Sequence, residues 1–97
     1  MARVDVVGVT KHPKEHVREA VARAVEVRLR EVKASIERVE GSLKDFETKY
    51  GMVTESFYKK YLGGELEENI DFMEWRACKE IFGDLLEEKA LLEEISD

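Results

Sequence analysis

Residues 25–50 read V-E-V-R-L-R-E-V-K-A-S-I-E-R-V-E-G-S-L-K-D-F-E-T-K-Y. Apolar side chains fall at Val25, Leu29, Val32, Ile36, Val39, Leu43, Phe46 and Tyr50, alternately four and three residues apart without a miss. A mean spacing of 3.5 residues keeps one helical stripe facing a neighbouring helix, so this stretch predicts a long amphipathic helix whose seam needs a partner. Setting Leu29, Ile36, Leu43 and Tyr50 at position a puts Val25, Val32, Val39 and Phe46 at d, an order that suits higher bundles better than a parallel two-stranded zipper. The flanking pairs of such a zipper would be Arg28 with Lys33, Ser35 with Glu40 and Ser42 with Glu47, none of them attractive. Gly41 interrupts the stripe at a cost of about 1 kcal/mol relative to alanine, which predicts a bend or a close helix crossing there.

Working outward, Pro13 suits a first helical turn, where its missing N–H is not needed, and Glu15 complements the positive helix end. A helix over 13–50 would be about 55 Å long. Ahead of it, Arg3 to Val9 read R-V-D-V-V-G-V, and the β-branched valines predict a short strand or extended arm over 1–12. Behind it, Gly51 is a natural stop, Thr54 is placed to cap a short helix over 54–62, and Gly63 with Gly64 ends that helix. Asp71 with Glu74 three residues on forms a capping-box-like start for a second long helix over 71–95. Phe72, Trp75, Cys78, Phe82, Leu85 and Leu92 line its apolar face, and Ile81, Leu86 and Ile95 widen that face beyond a two-helix seam. The expected fold is therefore all-α: one domain over 1–97, a long helical hairpin with a short connecting helix, dimerising into a four-helix bundle.

Composition agrees with this class. The 97 residues bound the chain to one small domain, 39% of residues are charged, and there is no glutamine and a single asparagine, Asn69. Such a balance favours helix and is the composition of a protein from a hot environment. Cys78 is the only cysteine, which excludes an intrachain disulfide and suits a cytoplasmic home. No run of eighteen apolar residues occurs, so no membrane span is expected. The net charge of −6 is unevenly placed, with 11 basic and 9 acidic residues over 1–50 against 5 and 13 over 51–97. An acidic half repels nucleic acid and attracts basic protein surfaces.

Constellations for chemistry are weak. His12 and His16 have the i, i+4 spacing of zinc ligands, but Pro13 lies between them and a third ligand is lacking, so exposed histidines are the simpler reading. Carboxylate pairs such as Glu67 and Glu68 sit in a turn, without the cleft that general acid-base work needs. Gly63 and Gly64 lack the lysine and hydroxyl of a phosphate loop. The basic residues Lys11, Lys14, Arg18, Arg23, Arg28 and Arg30 follow the arm, but a ribbon-type DNA reader would turn into a second helix where this helix runs on. No enzymatic activity, metal or cofactor is expected.

Residues 49–75 read K-Y-G-M-V-T-E-S-F-Y-K-K-Y-L-G-G-E-L-E-E-N-I-D-F-M-E-W. This stretch resembles a group of short, acidic, helical proteins of archaea and bacteria that look like antitoxin components of toxin-antitoxin pairs. In that group a helix with F-x-x-K-Y-G leads through a G-E-L turn to a D-F-x-E-W helix, and Phe46, Lys49, Tyr50, Gly51, Gly64, Glu65, Leu66, Asp71, Phe72, Glu74 and Trp75 match. Members tend to carry a glycine and an acidic pair after G-E-L, where this chain has Glu67, Glu68 and Asn69. The resemblance implies a binding module for a small basic partner toxin. Glu87, Glu88, Glu93 and Glu94 are the acidic residues expected to meet it. The alternative is a structural or adaptor homo-oligomer, for which the heptad seam would join copies.

Overall fold

The computed structural model describes residues 13–96, and the expected arm over 1–12, with His12, lies outside them. Three helices follow in order: α1 (Lys14–Tyr50), α2 (Thr54–Leu62) and α3 (Ile70–Ser96). Helices α1 and α3 run antiparallel as a hairpin, since Lys49 at the end of α1 pairs with Asp71 at the start of α3, and Arg28 near its beginning pairs with Glu88 near the end. The described chain measures 62 × 30 × 19 Å, a rod one helix thick along much of its length. The all-α hairpin with a short connecting helix is the architecture expected from the heptad spacing of 25–50, the glycine stops at 51 and 63–64 and the apolar face of 72–95.

The heptad seam of α1 is used within the chain. Val32 and Leu43 are buried, and the other six seam residues are half-buried along the side that meets α3. Gly41 lies on the outward face of an uninterrupted helix, and a Cβ built there would meet nothing within 4 Å. No close crossing accounts for it, because α3 packs on the opposite side.

Two of the expected helix caps are made by other residues. Asn69, not Asp71, opens α3: its Oδ1 accepts the N–H of Phe72 at 2.7 Å. Asp71 sits inside the first turn and turns sideways, where its Oδ2 accepts from Lys49 Nζ at 2.6 Å and from the Tyr50 hydroxyl. Thr54 likewise does not cap α2 with its side chain. Its own N–H and hydroxyl both donate to Glu47 Oε2 at 2.8 Å, so a carboxylate in the last turn of α1 receives the first donor of α2. Gly51 stops α1 as expected, in a left-handed conformation at φ 63°, and the N–H groups of Gly51 and Met52 return to the Glu47 carbonyl.

The core sits at the hairpin corner. Leu43, Phe57, Phe72 and Trp75 form its buried centre, with Phe46, Tyr50 and Tyr61 packed against it. Trp75 is fully buried and lies face to face with Phe57, centroids 3.9 Å apart and planes 3° from parallel, while Phe46 and Tyr50 stack at 5.5 and 5.9 Å. Its Nε1–H donates to Thr54 Oγ1 at 3.1 Å, completing a chain from Trp75 through Thr54 to Glu47 that ties all three helices together. Of the residues in the 49–75 pattern and the preceding Phe46, Phe46, Tyr50, Leu66, Phe72 and Trp75 converge here.

Candidate protein-binding surfaces

Because 3.5 residues per turn fix which positions share a side, the ion pairs orient the whole hairpin. Arg28 and Lys49 stand at heptad position g of α1 and reach Glu88 and Asp71 of α3, which defines one flank. Glu47, at position e, meets Thr54, and Lys79 of α3 reaches Glu55 of α2 at 3.3 Å, which defines the other. Helix α2 therefore covers the second flank at the corner, and a cavity of about 310 Å³ remains there between Glu40, Lys44, Val53, Lys79 and Phe82.

The apolar face of α3 divides accordingly. Phe72, Trp75 and Phe82 point at α1 or into the corner. Cys78, Leu85 and Leu92 are half-buried and continue the spacing of Trp75 and Phe82, with Cys78 packed against the corner, while Ile81 and Ile95 remain 48% and 62% exposed on the uncovered flank. The breadth expected from Ile81 and Ile95 thus lies on that flank, where Glu88 falls midway between them. Arg28 neutralises Glu88 through two bonds, Nε at 2.6 Å and Nη2 at 2.9 Å. Hydrogen bonding to Glu88 comes first and its charge second in raising the Arg28 pKa, and the same contact lowers that of Glu88.

The four glutamates read from the sequence as a partner contact do not share a surface. Glu88 belongs to the flank, and Glu93 is half-buried and pairs with Lys89 at 3.5 Å. Glu87 and Glu94 stand on the outer face of α3, away from α1, in line with Asp84 and with Leu91, which is 61% exposed. Among the described residues Asp84, Glu87 and Glu94 have no ion-pair partner within 4 Å. The sequence signal for this ridge is the 3, 4, 3 spacing of Asp84, Glu87, Leu91 and Glu94, hidden by the apolar residues interleaved with it.

At the end of the hairpin away from the corner, α1 begins beyond the last turn of α3. Val17, Val21, Val25 and Ile95 line an open groove of about 540 Å³ there, with Arg18 and Glu26 at its edges. His16 lies exposed in the first turns of α1, and no cluster of three metal-ligating side chains occurs among the described residues. Burial first, then the charge of Glu74, pushes the Cys78 thiol up, which disfavours the thiolate. No described helix is long and apolar enough to cross a membrane. The chain matches no protein family, no curated protein and no solved structure.

Proposed function

We propose that this chain is an antitoxin-like protein-binding module that holds a small basic partner toxin against the outer face of α3. The observation that carries the reading is the exposed ridge of Asp84, Glu87, Leu91 and Glu94. An apolar side chain between carboxylates that no described cation satisfies presents both terms of a charge-steered contact, burial for affinity and negative field for approach. The likeness of residues 49–75 to antitoxin components supplies the partner's class. Glu88 and Glu93 are set apart from the contact because each already has a cation.

Affinity capture of the tagged full chain at low salt from its native source tests this. A small basic protein should be retained in near-stoichiometric amount, and its co-expression with this chain should relieve growth arrest. The double reversal Glu87→Lys with Glu94→Lys should weaken retention by on the order of tenfold, and salt should do the same. Retention unchanged by the double reversal would remove the acidic ridge from the contact. A second reading, a homo-oligomeric adaptor with no toxin partner, is favoured by the exposed Ile81 and Ile95 on the uncovered flank and predicts that only copies of this chain are recovered.

A further inference from the structure

We propose, on the reading of the outer face of α3 as a protein contact, that this face docks one basic amphipathic helix of the partner, laid along a second heptad that α3 carries beside the one facing α1. Ala77, Ile81, Asp84, Glu88, Leu91 and Ile95 are spaced 4, 3, 4, 3 and 4 residues. Half-buried Cys78, Phe82, Leu85 and Leu92, on the side of α1, follow four of them one residue later. One residue turns an α-helix by about 100°, so the two stripes lie side by side and suit two neighbouring helices rather than one. Helix α1 occupies the first place. Helix α2 reaches α3 through Trp75, Lys79 and Glu80 and leaves the second stripe open. Ile81, Leu91 and Ile95 on it are 48%, 61% and 62% exposed, and Ile70 and Met73, 71% and 54% exposed, extend the same side towards the corner.

Charge selects the occupant. Glu80, Glu87 and Glu94 stand seven residues apart and form one edge of the stripe. The edge positions of a heptad are the ones that meet the edges of a helix packed on it. Glu80 is shared between Arg76 at 3.4 Å and the Tyr58 hydroxyl at 2.9 Å. Glu87 and Glu94, with Asp84 inside the stripe, have no ion-pair partner among the described residues. Glu88, the other ionised member of the stripe, is already bonded by Arg28. A helix with apolar residues at heptad spacing, lysine or arginine along its edges and one cation at mid-length opposite Asp84 therefore matches this side in both apolarity and charge. The α3 of a second copy does not, because laid antiparallel it sets Glu80, Glu87 and Glu94 against themselves, and like charges brought together in a contact repel.

The probe is a synthetic peptide of about four heptads, with leucine at the core positions, lysine at both edges and one lysine at the central core position, set beside a twin that has glutamate for every lysine. Fluorescence anisotropy of each labelled peptide is followed at low salt as the full chain is added. The lysine peptide should bind about tenfold more tightly than its twin, and Glu87→Lys with Glu94→Lys should abolish that preference. Ile81→Asp with Leu91→Asp, both at exposed positions, should keep the helical circular dichroism and weaken binding by about a hundredfold, because each puts a charge into an apolar contact. Val27→Asp, on the outward face of α1, should leave binding unchanged. Equal binding of the two peptides, binding of neither, a preference that outlasts the charge reversal, or binding that survives Ile81→Asp with Leu91→Asp would overturn the proposal. Self-association of the full chain that the same two substitutions abolish would overturn it in favour of a second copy. The lysine peptide binding as expected while the native source yields no basic protein would remove the toxin reading alone, and a toxin held through Glu87 and Glu94 while the peptides fail would remove the docked helix alone.

Discussion

The two ends of the hairpin are built differently from the same helices. At the corner, side chains from α1, α2 and α3 surround Trp75, and four of the five buried apolar residues lie there. Along the rest, only two helices meet, and Val32, 1% exposed, is the one apolar side chain that reaches full burial. A helix pair has one line of mutual contact and two open flanks, so residues on the seam stay half-exposed however regular their spacing. A third helix closes one flank at the corner, and aromatic side chains fill what remains. The comparison teaches that a regular heptad stripe sets direction and register, while cohesion is concentrated where three elements converge.

The most severe way to break this contrast is Trp75→Ala, which removes the ring stacked on Phe57, Phe46 and Tyr50 together with the indole N–H that Thr54 Oγ1 accepts. A loss of about 3–5 kcal/mol is expected in urea denaturation followed by circular dichroism. A loss under about 1 kcal/mol would place the cohesion elsewhere. Acid should act on the same corner. The N–H of Thr54 first, and its hydroxyl second, hold the Glu47 carboxyl below its ordinary value of 4.5. A lowered folded pKa contributes stability that is fully present above the unfolded value and is lost as pH falls through the folded one, so the protein should weaken progressively below about pH 4.5. Hydrogen bonds from Lys49 and then Tyr50 lower the Asp71 pKa with the same sign. Glu47→Gln should flatten the slope of stability against pH in this window, and an unaltered slope would exclude Glu47 as a contributor. The smallest effect belongs to the open end: Val25→Ala should reduce stability by about 0.5–1.5 kcal/mol, as for a partly buried methyl loss. A loss approaching that of Trp75→Ala would erase the difference between the two ends.

Much of this fold is legible in the sequence because its signals are periodic. The 4, 3 spacing from Val25 to Tyr50 announces α1 and its seam, and Gly51 and Gly63–Gly64 mark helix ends through backbone conformation. What the sequence hides is lateral. Asp71 has the spacing of a cap, yet Lys49 and Tyr50, 22 and 21 residues away, draw it out of that role and leave Asn69 to accept the Phe72 N–H. Thr54 also has a capping position, but burial beside Trp75 makes its hydroxyl a relay, and Glu47 gives no local sign of receiving it. The candidate contact is only partly legible for the same reason. Four glutamates near the C-terminus look equivalent in a list of charges, and the direction of α1 separates Glu88 from Glu87 and Glu94, while Lys89, four residues earlier in the same helix, sets Glu93 apart.

The placement of Trp75 also gives the molecule a built-in optical reporter. It is the sole tryptophan, sealed from water, stacked on three aromatic rings and hydrogen-bonded at its indole nitrogen. Its emission follows the corner alone, while far-ultraviolet dichroism sums over every helical turn. Opening of the far end before the corner yields would therefore move the dichroism and leave the tryptophan signal still. The two curves would separate in a protein whose ends unfold independently and coincide in one that melts as a unit.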